Sequence, residues 1–223
     1  MIVLPPRLEA VYSELDKAKT TNGRIIDVGS DHALFSIACL QNQITGFAIA
    51  TDINKAPAER SKQALMNAGF EKQSAVYNTD GITGITICIN DTVTIAGMGG
   101  NNIIDIMSFA MNNVERSVLE TVDFVIQPQK SLDRVREFLS STGFKIISEK
   151  VAVDNDNFYV IIKTIFTGES YTLTDEDLYY GPMLLTKNDE LTKAYHSHLD
   201  DVFTLRSRGD IKLRKVMESR GRI

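Results

Sequence analysis

The chain has 223 residues, with 24 Lys and Arg against 29 Asp and Glu and a formal net charge of −5. At 43% hydrophobic and 24% charged residues it has an ordinary globular composition, which excludes disordered and fibrous classes. The longest uncharged stretch, His32 to Thr51, carries Gln41, Asn42, Gln43 and Gly46 in its middle, so no membrane span is expected. No basic segment followed by an apolar run opens the chain, so no secretory signal and a cytoplasmic location are expected. Cys39 and Cys88 sit among apolar neighbours without metal-ligand spacing, which predicts buried, reduced thiols and no metal. Charge is uneven: residues 203–223 carry a net +5 on a body of −10. Such a basic end is either an arm for a polyanion or a solvated helical face.

In chain order, Leu8, Val11, Tyr12 and Leu15 mark one stripe of a helix that opens after Pro6 and is broken by Asn22-Gly23. A short buried strand follows at 24–28, a helix at 33–40, a strand at 46–52, and a helix at 58–68 framed by Pro57 and Gly69. Further strands are predicted at 73–78, 92–96 and 123–127, with helices around 102–111 and 132–141. This alternation implies an α/β fold with a mostly parallel sheet covered on both faces. Two β-rich runs, 144–153 and 158–166, flank the turn cluster Asp154-Asn155-Asp156-Asn157 and form a terminal antiparallel hairpin. Gly168-Glu169-Ser170 is a linker candidate, after which the apolar spacing predicts two or more helices with a break at Gly209. The domain boundary is therefore placed between 1–168 and 169–223.

In an open parallel sheet, ligands sit beyond the carboxyl ends of the strands at the switch point. Polar and glycine-rich residues fall at those ends: Asp27-Val28-Gly29-Ser30-Asp31-His32, Asp52, Asp80-Gly81, Gly97-Met98-Gly99-Gly100 and Gln127-Pro128. A pyrophosphate loop needs glycines that let backbone N–H groups approach the phosphates. Here Asp31 stands at the second of those glycines and would repel phosphate charge. A cationic ligand welcomes it, and S-adenosyl-L-methionine carries a sulfonium and an α-ammonium. Asp52 can accept from two ribose hydroxyls and Asp80 from an adenine amino group. Singly, Asp27 and Asp52 could merely cap helices, and Asp80-Gly81 and the Gly97 segment could merely be turns. Their clustering at successive strand ends favours a site.

The ordered set Asp27-Val28-Gly29-Ser30-Asp31-His32, Ile49-Ala50-Thr51-Asp52 with Ala56-Pro57, Asp80-Gly81, Ala96-Gly97-Met98-Gly99-Gly100, Gln127-Pro128 and Gly181-Pro182-Met183-Leu184-Leu185 resembles the bacterial TrmK family. The members of that family methylate N1 of adenine 22 in tRNA. The resemblance covers nearly the whole chain. It implies a Rossmann-like class I methyltransferase fold, its S-adenosylmethionine-dependent domain at 1–168, and a small helical, coiled-coil-like domain at 169–223. Gln129 stands where such proteins usually have Asn, and Pro5-Pro6 precede Arg7-Leu8 where they tend to have Leu-Ser. The expected cofactor-binding set is Asp27, Gly29, Ser30, Asp31, His32, Asp52, Ile53, Asp80, Gly81, Ala96 and Gly97.

Adenine N1 has an in-plane lone pair, so alignment and exclusion of water suffice and no covalent nucleophile is required. Gly97, Met98 and Gly99 are expected to admit the base, with Met98 as an apolar wall. Gln127 is the candidate for hydrogen bonding its Watson–Crick edge, and Tyr159 is either a stacking residue or, the favoured reading, a core residue of the hairpin. The target must be unpaired or flipped out. Arg7, Lys130, Arg134 and Arg136 near the mouth, with Arg206, Arg208, Arg214 and Arg220 on the C-terminal arm, are candidate tRNA contacts. The chain is expected to work as a monomer. A small-molecule methyltransferase and a non-catalytic RNA-binding protein are the alternatives.

Overall fold

The computed structural model describes residues 2–223. Two short helices open it, α1 (Pro6–Ser13) and α2 (Lys17–Asn22). The single helix expected up to Asn22 is divided because Asp16 caps the second: its carboxylate accepts from the N–H groups of Ala18 (3.0 Å) and Lys19 (3.3 Å). There follow β1 (Ile25–Val28), α3 (Leu34–Gln41), β2 (Ala48–Asp52), α4 (Lys55–Asn67), β3 (Ser74–Asn78), β4 (Thr92–Met98), α5 (Gly100–Asn113), α6 (Arg116–Leu119) and β5 (Asp123–Pro128). Then come α7 (Leu132–Thr142), β6 (Phe144–Asp154), β7 (Asn157–Phe166) and three C-terminal helices, α8 (Asp175–Tyr180), α9 (Glu190–Arg206) and α10 (Ile211–Ser219).

The seven strands form one sheet in the order β3-β2-β1-β4-β5-β7-β6. β1 pairs in parallel with β2 on one side and β4 on the other, which makes the gap between β1 and β4 the topological switch point. β1 and β5 are buried along their whole length, as their Ile, Val and Phe content requires of strands covered on both faces. β7 runs antiparallel to both β5 and β6, with Ile126 opposite Ile162 and Val151 opposite Val160. The hairpin closes on Asn155 and Asp156, both at positive φ, a conformation these side chains tolerate better than most. The fold class expected from the strand and helix pattern is the one observed.

The main apolar cluster runs without a break from Ile26, Val93 and Phe124 in the sheet to Tyr180, Leu199, Leu213 and Met217 in the C-terminal helices. Where the two parts meet lies a fully buried ion pair, Arg136 Nε to Glu149 Oε1 at 2.8 Å. Arg136 also donates to the carbonyl of Leu178 (2.8 Å), and the N–H of Met183 donates to Glu149 Oε2 (3.0 Å). Arg136 is therefore no contact for RNA, contrary to the sequence expectation: α7 turns it inward onto β6. The expectation for Cys88 also fails. It lies in the loop before β4 with its N–H anchored on Asp91 (2.7 Å) and its side chain exposed, while Cys39 is buried.

Candidate active site

At the carboxyl ends of β1, β2 and β4 the sheet opens into a cavity of about 560 Å³. Gly29 follows β1, Asp52 and Ile53 follow β2, Asp80 and Gly81 follow β3, and Ala96, Gly97 and Met98 end β4; all line it. A smaller cavity of about 130 Å³ shares Gly29 and Ala96 with the first and adds Arg7, Asp27, Ser30, Asp31 and Phe35. Of the expected donor-binding residues, His32 borders neither, and Gly99, expected to help admit the base, lies outside both as the N-cap of α5.

The loop after β1 is tied to its neighbour strand. The N–H groups of Gly29 and Ser30 both donate to the carbonyl of Thr51, at 2.8 and 2.9 Å. A loop that cradles phosphate offers such groups to the ligand; this one has spent them. Asp27 is buried and accepts from the hydroxyls of Ser30 (2.7 Å) and Ser36 (2.9 Å), so it anchors the start of α3. Burial pushes its carboxyl above the ordinary range, and the Ser30 and Ser36 hydrogen bonds pull it part of the way back. Asp31 is half exposed, lies 3.7 Å from His32 Nε2, and pairs at 2.9 Å with Arg60 of α4, a residue the sequence did not single out.

Across the opening, the Asp52 carboxylate accepts from the N–H of Asn54 (2.7 Å), and Asn78 donates to the carbonyls of Asp52 and Ile53. The Thr51 hydroxyl donates to the carbonyl of Gly81 (2.8 Å), which fixes the Asp80-Gly81 turn against β2. The wall from α5 escaped sequence reasoning. Asn102, Asp105, Ile106 and Phe109 line the cavity at positions i, i+3, i+4 and i+7, a stripe that starts from the Gly97–Gly100 turn. That spacing, read from the turn onward, was the available signal.

Gly97, the penultimate residue of β4, has φ +81°, a conformation disfavoured for residues with a Cβ. A Cβ there would also lie 3.0 Å from Arg7 Nη1. Gln127 is wholly buried beneath this turn. Its Oε1 accepts from the N–H of Gly97 (3.1 Å) and from Arg7 Nη1 (2.9 Å), and its Nε2 donates to the carbonyl of Pro128 (2.9 Å). The structure thus stations Gln127 behind the turn, with its amide engaged inside the protein, and not where it would meet a base. The Arg7 guanidinium carbon lies 5.7 Å from the centroid of the Tyr159 ring.

Among the other basic candidates, Lys130, Arg134, Arg206 and Arg208 are exposed, and Arg214 pairs at the surface with Glu218 (3.0 Å). Arg220 is instead built into the fold: its guanidinium carbon sits 4.0 Å from the Tyr180 ring centroid, and it pairs with Glu176 (2.5 Å). It ties α10 to α8, which corrects its expected role at the surface. Among the described residues no three His, Cys, Asp or Glu side chains assemble as a metal site, and no helix is long and apolar enough to cross a membrane.

A crevice of this kind, at the switch point with acids after β2 and β3, is matched by known proteins. The family model described as a methyltransferase domain covers residues 4–162. The chain belongs to this methyltransferase family. A Mycoplasma genitalium protein provisionally named a tRNA methyltransferase is 27% identical over 219 residues, 94% of this chain and 97% of that one. The tRNA (adenine(22)-N(1))-methyltransferase of Bacillus subtilis is 28% identical over 145 residues, 63% of this chain and 58% of its own. The solved M. capricolum TrmK, in complex with S-adenosyl-homocysteine, is 22% identical and shares the methyltransferase fold over 98% of this chain and 95% of that chain, at a TM-score of 0.77. These relatives bear the names that the order of motifs led us to expect.

Proposed function

We propose that this methyltransferase moves the methyl group of S-adenosyl-L-methionine to N1 of an unpaired adenine in tRNA, at position 22 as in the B. subtilis relative. The observation that carries the reading is one cavity with Asp52 and Asp80 on one wall and the Gly97-Met98 turn on the other. The residues present fit the donor. Asp52 can accept from vicinal ribose hydroxyls, and Asp80 from an exocyclic amine. Ile53, Ile82 and Phe109 supply apolar surface for an adenine ring. Bound there, the donor supplies a methyl group on a positively charged sulfur. The protein aligns and dries the reacting groups. Gln127 holds the Gly97 turn in its positive-φ form, and a Cβ at Gly97 would crowd Arg7, so glycine there lets the turn and the Arg7 guanidinium pack together.

Lys130 and Arg134, and Arg206 and Arg208 on the 169–223 unit, are assigned to the tRNA backbone, while Arg214 is held by Glu218. The working form is taken to be a monomer in the cytoplasm, where its substrate resides. The test is incubation with labelled S-adenosylmethionine and unmodified tRNA, followed by nucleoside mapping. Label in 1-methyladenosine at position 22 is expected. Label in another nucleoside, or transfer only to small molecules, overturns the assignment.

A further inference from the structure

The loop that joins α9 to α10 exposes two aliphatic side chains that a purely ionic contact would not call for. Leu205, the penultimate residue of α9, is 67% exposed, and Ile211, the first residue of α10, is 78% exposed. Among the described residues only Val3 is a large apolar side chain more open to water. Arg206, Arg208, Lys212 and Lys215 stand between and beside them, all exposed and, among the described residues, in no ion pair. The neighbouring apolar residues of the same helices, Phe203, Leu213 and Val216, are buried.

The loop is pinned from within. The Asp210 carboxylate accepts from the N–H of Leu213 (3.0 Å) and from the hydroxyl of Tyr179 in α8 (3.0 Å), so the acid of the loop is already occupied. The Ser207 hydroxyl donates to the carbonyl of Thr204 (2.9 Å), and the N–H of Gly209 to that of Arg206 (3.1 Å). The Arg206 guanidinium carbon lies 5.6 Å from the centroid of the Phe203 ring. Part of the ordering that binding would otherwise cost is therefore met in the free chain.

A partner for this surface presents negative charge and accessible apolar faces together. A paired RNA segment shows phosphates and riboses on its outside, while its base faces are stacked and its major groove is too narrow for side chains. An unpaired segment keeps the phosphates and frees the base faces. A lipid surface also joins charge and apolar matter, but it takes a continuous apolar face along a helix. Here two side chains stand out from helices that turn their other apolar residues inward.

We propose that the α9–α10 loop docks on an unpaired segment of the tRNA, with Leu205 and Ile211 against exposed base faces and the four cations on the flanking phosphates. This rests on the tRNA reading given above and deepens it: the arm distinguishes a folded tRNA from a plain duplex, by contacts that release no counterions.

The experiment is a titration of tRNA with the whole chain over a series of salt concentrations, repeated with a fully paired RNA duplex. Leu205→Ser combined with Ile211→Ser is expected to weaken tRNA binding about tenfold at every salt concentration, to leave the slope of log K against log salt unchanged, and to change duplex binding by less than about twofold. Both positions are exposed, so a thermal midpoint within a few degrees of the unaltered chain shows that the variant is folded. Leu205→Phe combined with Ile211→Phe, which offers rings for stacking, should keep or tighten tRNA binding without a gain on the duplex. Equal losses on tRNA and duplex, or no loss on tRNA, overturn the assignment of the two side chains while leaving the tRNA reading intact. Binding to phosphatidylglycerol vesicles that the Ser variant abolishes while it keeps its tRNA affinity also overturns it, in favour of a lipid surface. If the unaltered chain does not bind tRNA, both fall.

Discussion

Glu149 is the residue on which the junction between sheet and C-terminal helices depends most. Its side chain and that of Arg136 are both fully buried, and together they receive or give hydrogen bonds to Leu178 and Met183. Gly181 fits against the pair only because it is glycine: at φ +98° a Cβ would lie 2.7 Å from both Arg136 Nη2 and Glu149 Oε2. Removing one partner of a buried pair strands the other charge, which costs roughly 3–5 kcal/mol. Glu149→Ala should therefore lower the unfolding free energy by about that amount in denaturant titration, and a loss below about 1 kcal/mol would contradict this account. None of it was legible in the sequence. Arg136 reads as one more surface cation on an amphipathic helix, because its partner comes from a different element and only the three-dimensional crossing of α7 and β6 reveals it. Asp52, Asp80 and Gly97 were legible because chemistry at a strand end leaves a local mark.

Elements were easier to read than their ends. Most strands of the sheet announced themselves as short apolar or β-branched runs between turn residues, but β4 extends two residues past the expected Ala96, since pairing with Pro128 carries it to Met98. The α1–α2 break was missed because an Asp cap outweighs a continuing apolar stripe only when the chain must turn there. Helix α9 carries a half-buried group whose titration should affect stability. His196 lies against Tyr180, with ring centroids 5.5 Å apart, and faces Arg220, Arg136 and Asp200. Burial holds its pKa below the ordinary 6.5, and the two arginines add to that effect. The unfolded chain therefore takes up a proton first. Stability is unpenalised above about pH 6.5, falls as the pH drops below that value, and levels off once the folded imidazole also titrates. Thermal unfolding between pH 8 and 5 should show this decline in the unaltered protein and a shallower one in His196→Asn. Parallel curves for the two would remove His196 as the cause.

At the scale of the molecule, the division of charge between an acidic body and a basic end was plain from the sequence, but which cations are available for a partner was not. Arg214, Arg220 and Arg222 are taken up by Glu218, Glu176 and Asp200, so much of the net positive charge of the arm is balanced within the fold. Arg206, Arg208, Lys212 and Lys215 remain exposed around the loop that joins α9 to α10, and among the described residues none of the four forms an ion pair. Leu213, Val216 and Met217 between and after them are buried, so removing the arm would open the core and confuse loss of fold with loss of binding. Substitution avoids this difficulty. Each phosphate contact contributes about 0.7–0.9 to the slope of log K against log salt. Replacing the four exposed cations by Gln should lower that slope for tRNA by roughly 1–3 while the thermal midpoint stays within a few degrees. Arg222→Gln, which removes a cation already paired with Asp200, should leave the slope nearly unchanged. If the fourfold variant keeps the original slope, the arm is a solvated helical face, and the tRNA must be held by the cations around the Gly97 turn.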